Sequence, residues 1–213
     1  SSTQMGALTS AQVTALTTAQ ANALTATQAQ GITTSQAAGL ESGDLNKLTT
    51  SAFEAMAPAV AAKLSSTQVG ALTTAQITAL TTAQAAALTA TQAQGITTVQ
   101  TSAIESGDLS AMTTAAFVAI NTGVVAGLSS TQVGALTNAQ VTALTTGQAA
   151  ALTATQAQGL TTVQTSALQT GALAKMTTSA FEAIATEVVA GLSNAQVGAL
   201  TSAQITALTT AQA

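Results

Sequence analysis

Every eighth residue of the chain, from Leu8 to Leu208, is Leu, Ile or Met, without exception over 26 consecutive positions. Internal repetition at a fixed spacing is stronger evidence about a fold than any local motif, so this period sets the structural unit at eight residues. Most octads read Leu, then Thr or Ser, two variable residues, Gln, a second apolar residue, one variable residue, and Ala or Gly. The octad at residues 72–79, LTTAQITA, is representative.

A longer period of 64 residues modulates the octads. The Gln is present in five consecutive octads and then absent from three, and Phe53, Phe117 and Phe181 are 64 residues apart. We therefore predict one continuous array over residues 1–213. Neither end carries the atypical polar repeat that closes most solenoids, so we expect a segment of a longer chain or a filament subunit. The predicted super-repeats are approximately 1–63, 64–127 and 128–191, with a partial one at 192–213.

The eight-residue period argues against a single long helix and against a simple strand. In a continuous α-helix, eight residues advance about 80° beyond two full turns, so the apolar column would spiral around the helix. On a strand, the two apolar columns would point to opposite faces. A β-solenoid with a turn in each octad would remove that conflict, and it remains the alternative fold.

The order of residue types within the octad favours a short helix that begins anew in each repeat. Thr73 and Gln76 have the spacing of a capping box, in which the hydroxyl accepts a first-turn N–H and the Gln accepts the N–H of the cap. Leu72 and Ile77 flank them at the spacing of a hydrophobic staple. The corresponding residues of a later octad are Leu136, Gln140 and Val141.

Helices of one or two turns are unstable in isolation, so successive octads must share an apolar interior. The sequence therefore predicts an all-α solenoid of very short capped helices, one per octad, with three or four octads per turn. The Leu, Ile or Met at every eighth position (the anchor column) and the apolar residue after the Gln (the staple column) would form the interior. Thr, Ser, Gln and Asn would face outward. The Ala or Gly at the end of each octad is expected to let the chain bend. Phe53, Phe117 and Phe181 occupy the staple column, so we predict them in the core.

Two pairs of acidic residues are the weak candidates for a metal site. Glu41 and Asp44 flank a Ser-Gly pair, and Glu105 and Asp108 repeat the pattern. Such oxygens could bind Ca²⁺. However, the third copy at 169–172 reads QTGA and has lost both acids. We therefore interpret the motif as a variant helix start, with Asp in place of Gln, and predict no bound metal.

The composition narrows the range of functions. The chain has no His or Cys, three Lys or Arg residues and a net charge of −4. The many hydroxyls have no adjacent base, so we predict no enzyme, no cofactor and no small-molecule substrate. Without a basic patch we expect no nucleic-acid binding, and without a run of about 20 apolar residues no membrane insertion. Low net charge favours association, so self-association is the predicted interaction.

The run LTTAQITALTTAQ at 72–84 resembles the tandem "LTxxQ" octapeptide arrays of very large bacterial secreted and cell-surface proteins, which are described as adhesin-like. The resemblance extends over essentially the whole chain. It implies an extracellular or cell-surface protein that forms a fibre, a stalk or a surface-layer element. The alternative is a surface-binding module, either ice-binding or an adhesin arm, because regular Thr and Ala columns on an uncharged face would suit such a role.

Overall fold

The computed structural model describes residues 1–208 and residue 212, and the regular secondary structure of these residues is all helical. They form 24 α-helices of four to six residues and two 3₁₀ helices, with no strand in the described part of the chain. The predicted all-α fold of short helices is confirmed, and the alternative β-solenoid is not supported. The two 3₁₀ helices, Ala37–Gly39 and Thr101–Ala103, replace the α-helix in two octads.

The chain forms two compact units, residues 1–120 and residues 121–213. Helices of the first unit are α1 (Ser2–Gly6), α2 (Ser10–Thr14), α3 (Thr18–Asn22), α4 (Ala26–Ala29), α5 (Ser42–Leu45), α6 (Thr50–Glu54), α7 (Pro58–Ala61), α8 (Ser66–Ala71), α9 (Thr74–Thr78), α10 (Thr82–Ala87), α11 (Ala90–Ala93), α12 (Ser106–Ala111) and α13 (Thr114–Ala119). Helices of the second unit are α14 (Thr122–Ala126), α15 (Ser130–Gly134), α16 (Asn138–Thr142), α17 (Thr146–Ala151), α18 (Ala154–Ala157), α19 (Thr162–Ala167), α20 (Thr170–Leu173), α21 (Thr178–Glu182), α22 (Thr186–Val189), α23 (Asn194–Gly198) and α24 (Ser202–Ala207).

The continuity of the array over residues 1–213 remains a prediction. The super-repeat boundaries near 63, 127 and 191 likewise remain predictions. The last super-repeat, 192–213, extends beyond the described residues at 209–211 and 213.

The corner between octads is formed by the anchor and the cap. Leu72 has φ −59° and ψ 139°, and Thr73 has φ −70° and ψ 157°, so both are extended. Extended backbone at the cap is what allows its side chain to turn back onto the first helical N–H groups. Ala79, at the end of the octad, is the C-cap of α9 with φ −84° and ψ 2°. That the Ala or Gly at the end of each octad lets the chain bend stays a prediction.

Within each unit, a helix packs against the helix three octads further along the chain. The α8 helix contacts α11 in the first unit, and α16 contacts α19 in the second. The hydrogen bonds of the Gln column, described below, reach the helix four octads back and the first residue of the octad three octads back. Each octad therefore lies over the junction between two octads of the preceding turn, and a turn holds between three and four octads.

The anchor column forms the core that the sequence predicts. The anchors from Ile32 to Ile184 are buried, except Leu80, which is half-buried. The staple column packs beside them and includes the three Phe residues, each at most 1 % exposed. Burial of these side chains gives each short helix the stability that its length does not provide.

Backbone segments approach most closely at a glycine that the sequence interpretation overlooked. A Cβ atom on Gly95 would lie 2.0 Å from the carbonyl oxygen of Ser66, three octads earlier. Gly31 and Gly159, 64 residues before and after Gly95, meet a Ser carbonyl in the same way. The described backbone has no positive φ, so these glycines are required for space rather than for conformation.

Candidate functional site: an amide ladder between turns

Gln76, the third residue of α9, forms the capping box that the sequence predicts with Thr73. The backbone N of Gln76 donates to Thr73 Oγ1 at 3.2 Å. The backbone N of Thr73 donates to Gln76 Oε1 at 3.0 Å. Two N–H groups that a helix start leaves unpaired are thereby satisfied within one octad.

The side-chain nitrogen of Gln76 bonds outside its own octad. Its Nε2 donates to the carbonyl oxygen of Leu45 at 2.8 Å and to that of Leu48 at 3.0 Å. Leu45 is the last residue of α5, and helix ends leave their final carbonyls without a partner inside the helix. One Gln side chain therefore satisfies the start of its own helix and the end of a helix four octads earlier.

This bonding repeats at a constant offset, and we call the resulting set of hydrogen bonds the amide ladder. In each of its members, a column Gln donates from Nε2 to the carbonyls 28 and 31 residues earlier. Those with both bonds in the first unit are Gln36, Gln68, Gln76, Gln84, Gln92 and Gln100. Those in the second unit are Gln156, Gln164, Gln196 and Gln204.

The ladder Gln side chains are buried, which corrects the expectation that Gln faces outward. Gln76 is 1 % exposed and Gln84 is 0 % exposed. Buried amides are tolerated only when their donors and acceptors are paired, and the ladder pairs both. Gln12 and Gln20 form capping boxes but are exposed.

The other predicted structural residues lie in or beside the core. Leu72 and Ile77 are buried, as are Leu136 and Val141, and Gln140 forms a capping box with Thr137. Phe53, Phe117 and Phe181 lie in α6, α13 and α21, where a Thr hydroxyl caps the helix without a Gln partner.

The four acidic candidates separate into an exposed pair and a buried pair. Glu41 and Glu105 are exposed at the starts of α5 and α12 and make no capping bond from their side chains. Asp44 and Asp108 are buried, 5 % and 3 % exposed, at the column position where other octads carry Gln. Across the described residues, no three His, Cys, Asp or Glu side chains group closely enough to hold a metal ion.

One signal in the sequence could have revealed the amide ladder. A capping box accepts Glu as readily as Gln. The column nevertheless holds Gln at 18 of the 27 positions from 4 to 212, and Glu at none of them. A carboxylate has no donor, so the use of Gln rather than Glu at these positions indicates that the side-chain N–H group is required.

The comparisons with known proteins find a known kind of repeat in two segments of the chain. The family model described as ALTTAQ repeat matches residues 101–138 and 173–210. The chain is thus a helical repeat protein with repeats of this kind in both segments. Comparisons with curated proteins and with solved structures gave no match. Among the described helices, the longest of which has six residues, none is a candidate to cross a membrane.

Proposed function

We propose that the chain is a structural protein that forms part of an extracellular fibre, stalk or surface layer and associates with itself. The amide ladder is the observation that carries the proposal. Its acceptors are backbone carbonyls at fixed offsets, so they do not depend on particular side chains. Every further turn of octads meets the same acceptors, and an array of this kind extends by repetition without a new type of interface.

The surface supports association because little charge opposes it. The net charge is −4 over 213 residues, and the stretch 109–174 has no ionisable side chain. Surfaces without strong net charge are not kept apart by repulsion. The exposed part of the chain instead offers hydroxyl and amide groups, which hydrogen-bond to a partner without the desolvation cost of a charge.

Exposed apolar side chains offer a contact between copies. Val197 and Ile205, in the staple column of the second unit, are 47 % and 46 % exposed. Burial of these side chains against a second copy would stabilise association.

Sedimentation and electron microscopy of the purified chain test this proposal. Concentration-dependent assembly into elongated particles is expected. The double variant Val197→Lys and Ile205→Lys should weaken assembly, because it places two charges on the apolar contact. Val99→Lys is the matched control, since Val99 is 75 % exposed but outside the staple column. A compact monomer at every concentration would reject the proposal.

A surface-binding module, for ice or as an adhesin arm, is the second candidate. Thr74, Thr82 and Thr98 occupy the first position after the cap in their octads and are exposed. A repeated hydroxyl on an uncharged surface is the observation that favours this function. Thermal hysteresis measured at high protein concentration tests the ice-binding form, and the absence of any hysteresis would remove it.

A further inference from the structure

We propose that Asp108 is a proton-operated latch between two turns of the first unit, closed when its carboxyl is protonated and loosened when it ionises. The inference goes beyond the proposed structural role, because it gives one position of the array a response to solution conditions. It rests on the place of Asp108 in the amide ladder, on its burial and on the cavity beside it.

Asp108 interrupts the ladder at a defined place. The residues 31 and 28 positions before it are Ile77 and Leu80, whose carbonyls would accept from a Gln at this position. An ionised Asp has no donor, whereas a protonated one has a single O–H donor. The proton therefore determines whether this side chain can donate toward the preceding turn, as its Gln counterparts do.

The surroundings of Asp108 disfavour the ionised form. It is 3 % exposed in α12, which packs against α10. The hydroxyl of Thr82 bonds its carboxyl, but the buried Oδ2 has no partner. A cavity of about 20 Å³ lies beside Asp108, Ile77 and Leu80, and only apolar atoms form its surface. An apolar cavity gives the buried carboxyl no group to replace its hydration.

The negative charge of Glu105 also disfavours the ionised form of Asp108. The α10 helix carries no ionisable side chain, and the remaining residues of the cavity wall are apolar. Burial raises the pKa of the Asp108 carboxyl, the Thr82 hydrogen bond lowers it in part, and the negative charge of Glu105 raises it further. A raised pKa means that the folded chain binds the proton more tightly than the unfolded chain. The contribution to stability is then complete below the ordinary Asp pKa and is lost as pH rises through the raised value.

The second unit provides an internal comparison. The position 64 residues after Asp108 is Ala172, which is 2 % exposed in α20. An octad with Ala at the column position therefore folds without a carboxyl. The latch belongs to the octad of Asp108, and Asp108→Ala is a substitution that the repeat already accommodates.

Carboxyl NMR of the intact chain tests the latch directly. The chain contains two Asp residues, so selective ¹³C labelling of Asp gives two side-chain signals, which Asp44→Asn assigns. The Asp108 signal should titrate above about 3.9, the ordinary Asp pKa. Hydrogen exchange of the α10 and α12 amides, corrected for intrinsic rates, should accelerate through the same midpoint.

Two variants distinguish the latch from general acid or base effects. In Asp108→Asn and in Asp108→Ala, the pH-dependent acceleration of exchange should disappear from α10 and α12. Exchange in α20, around Ala172, should be the same in both variants as in the parent chain. A midpoint at or below 3.9, or an unchanged pH profile in the variants, would overturn the proposal.

Discussion

The side-chain nitrogen of Gln76 lies 2.8 Å from the carbonyl oxygen of Leu45, 31 residues earlier, and so ties the start of α9 to the end of α5. The same side chain caps its own helix through Oε1. A helix of four to six residues leaves more of its backbone N–H and C=O groups unpaired than it pairs. The ladder pairs terminal groups of two helices with one side chain, which explains how a fold can be built from helices this short.

Removal of one ladder amide should lower the free energy of unfolding far more than removal of a capping box alone. Gln76→Ala deletes the box and leaves two buried carbonyls without their donor, so we expect a loss of about 2–4 kcal/mol in the free energy of unfolding. Gln12→Ala is the matched control, because Gln12 has the same box but is exposed. Its expected cost is about 0.5–1 kcal/mol. Urea unfolding followed by circular dichroism measures both, and equal losses would contradict the ladder.

The capping box and the hydrophobic staple follow from the sequence. The hydrogen bonds between turns do not. Leu72, Thr73 and Ile77 have roles that depend on neighbours within six residues, so their spacing was sufficient to predict the capping box and the buried staple. The Nε2 bonds of Gln76 join residues 28 and 31 positions apart, and that offset depends on how many octads complete a turn. The capping box also accounted for Gln by itself, which led to the wrong placement of Gln on the surface.

The glycine that permits close backbone approach should not tolerate a methyl group. Gly95→Ala would place Cβ 2.0 Å from Ser66 O, so a backbone shift is unavoidable. We expect a destabilisation of at least about 3 kcal/mol, at the upper end of overpacking effects. Gly107→Ala is the control, since no atom lies within 4 Å of its added Cβ.

In that control, the loss of glycine flexibility in the unfolded chain should stabilise the protein by about 0.4–1 kcal/mol. Thermal unfolding of the two variants gives opposite shifts in Tm. If Gly95→Ala were neutral, the close approach of residues 66 and 95 would be refuted.

The aromatic residues of the staple column should contribute strongly to the core. Phe53 is 1 % exposed in α6, and Phe53→Ala should cost about 3–5 kcal/mol through lost burial and the cavity that remains. Val99→Ala, at a 75 % exposed position, should change stability by less than about 0.5 kcal/mol. Chemical denaturation compares the two, and a small effect at Phe53 would place that side chain outside the core.

Completion of the ladder at position 108 should stabilise the chain. Asp108→Gln introduces an amide at the offset of the Ile77 and Leu80 carbonyls and removes a buried carboxyl with an unpaired oxygen. We expect a gain of about 1–2 kcal/mol at neutral pH. The gain should shrink toward acid pH, because burial raises the pKa of Asp108 and the protonated parent no longer carries a buried charge.

Glu105→Gln is the control for the change in net charge, because Glu105 is exposed at the start of α12. It should produce a smaller gain than Asp108→Gln at every pH. Stability measured across the acid range would count against this account if the two variants gave the same profile.

Through-hydrogen-bond NMR coupling between Gln76 Nε2 and backbone carbonyl carbons tests the amide ladder most directly. The account predicts couplings to the carbonyls of Leu45 and Leu48, together with side-chain amide exchange at Gln76 far slower than at the exposed Gln12. If Gln76 showed no such coupling and exchanged its amide protons as fast as Gln12, the claim that each Gln joins two turns would be contradicted.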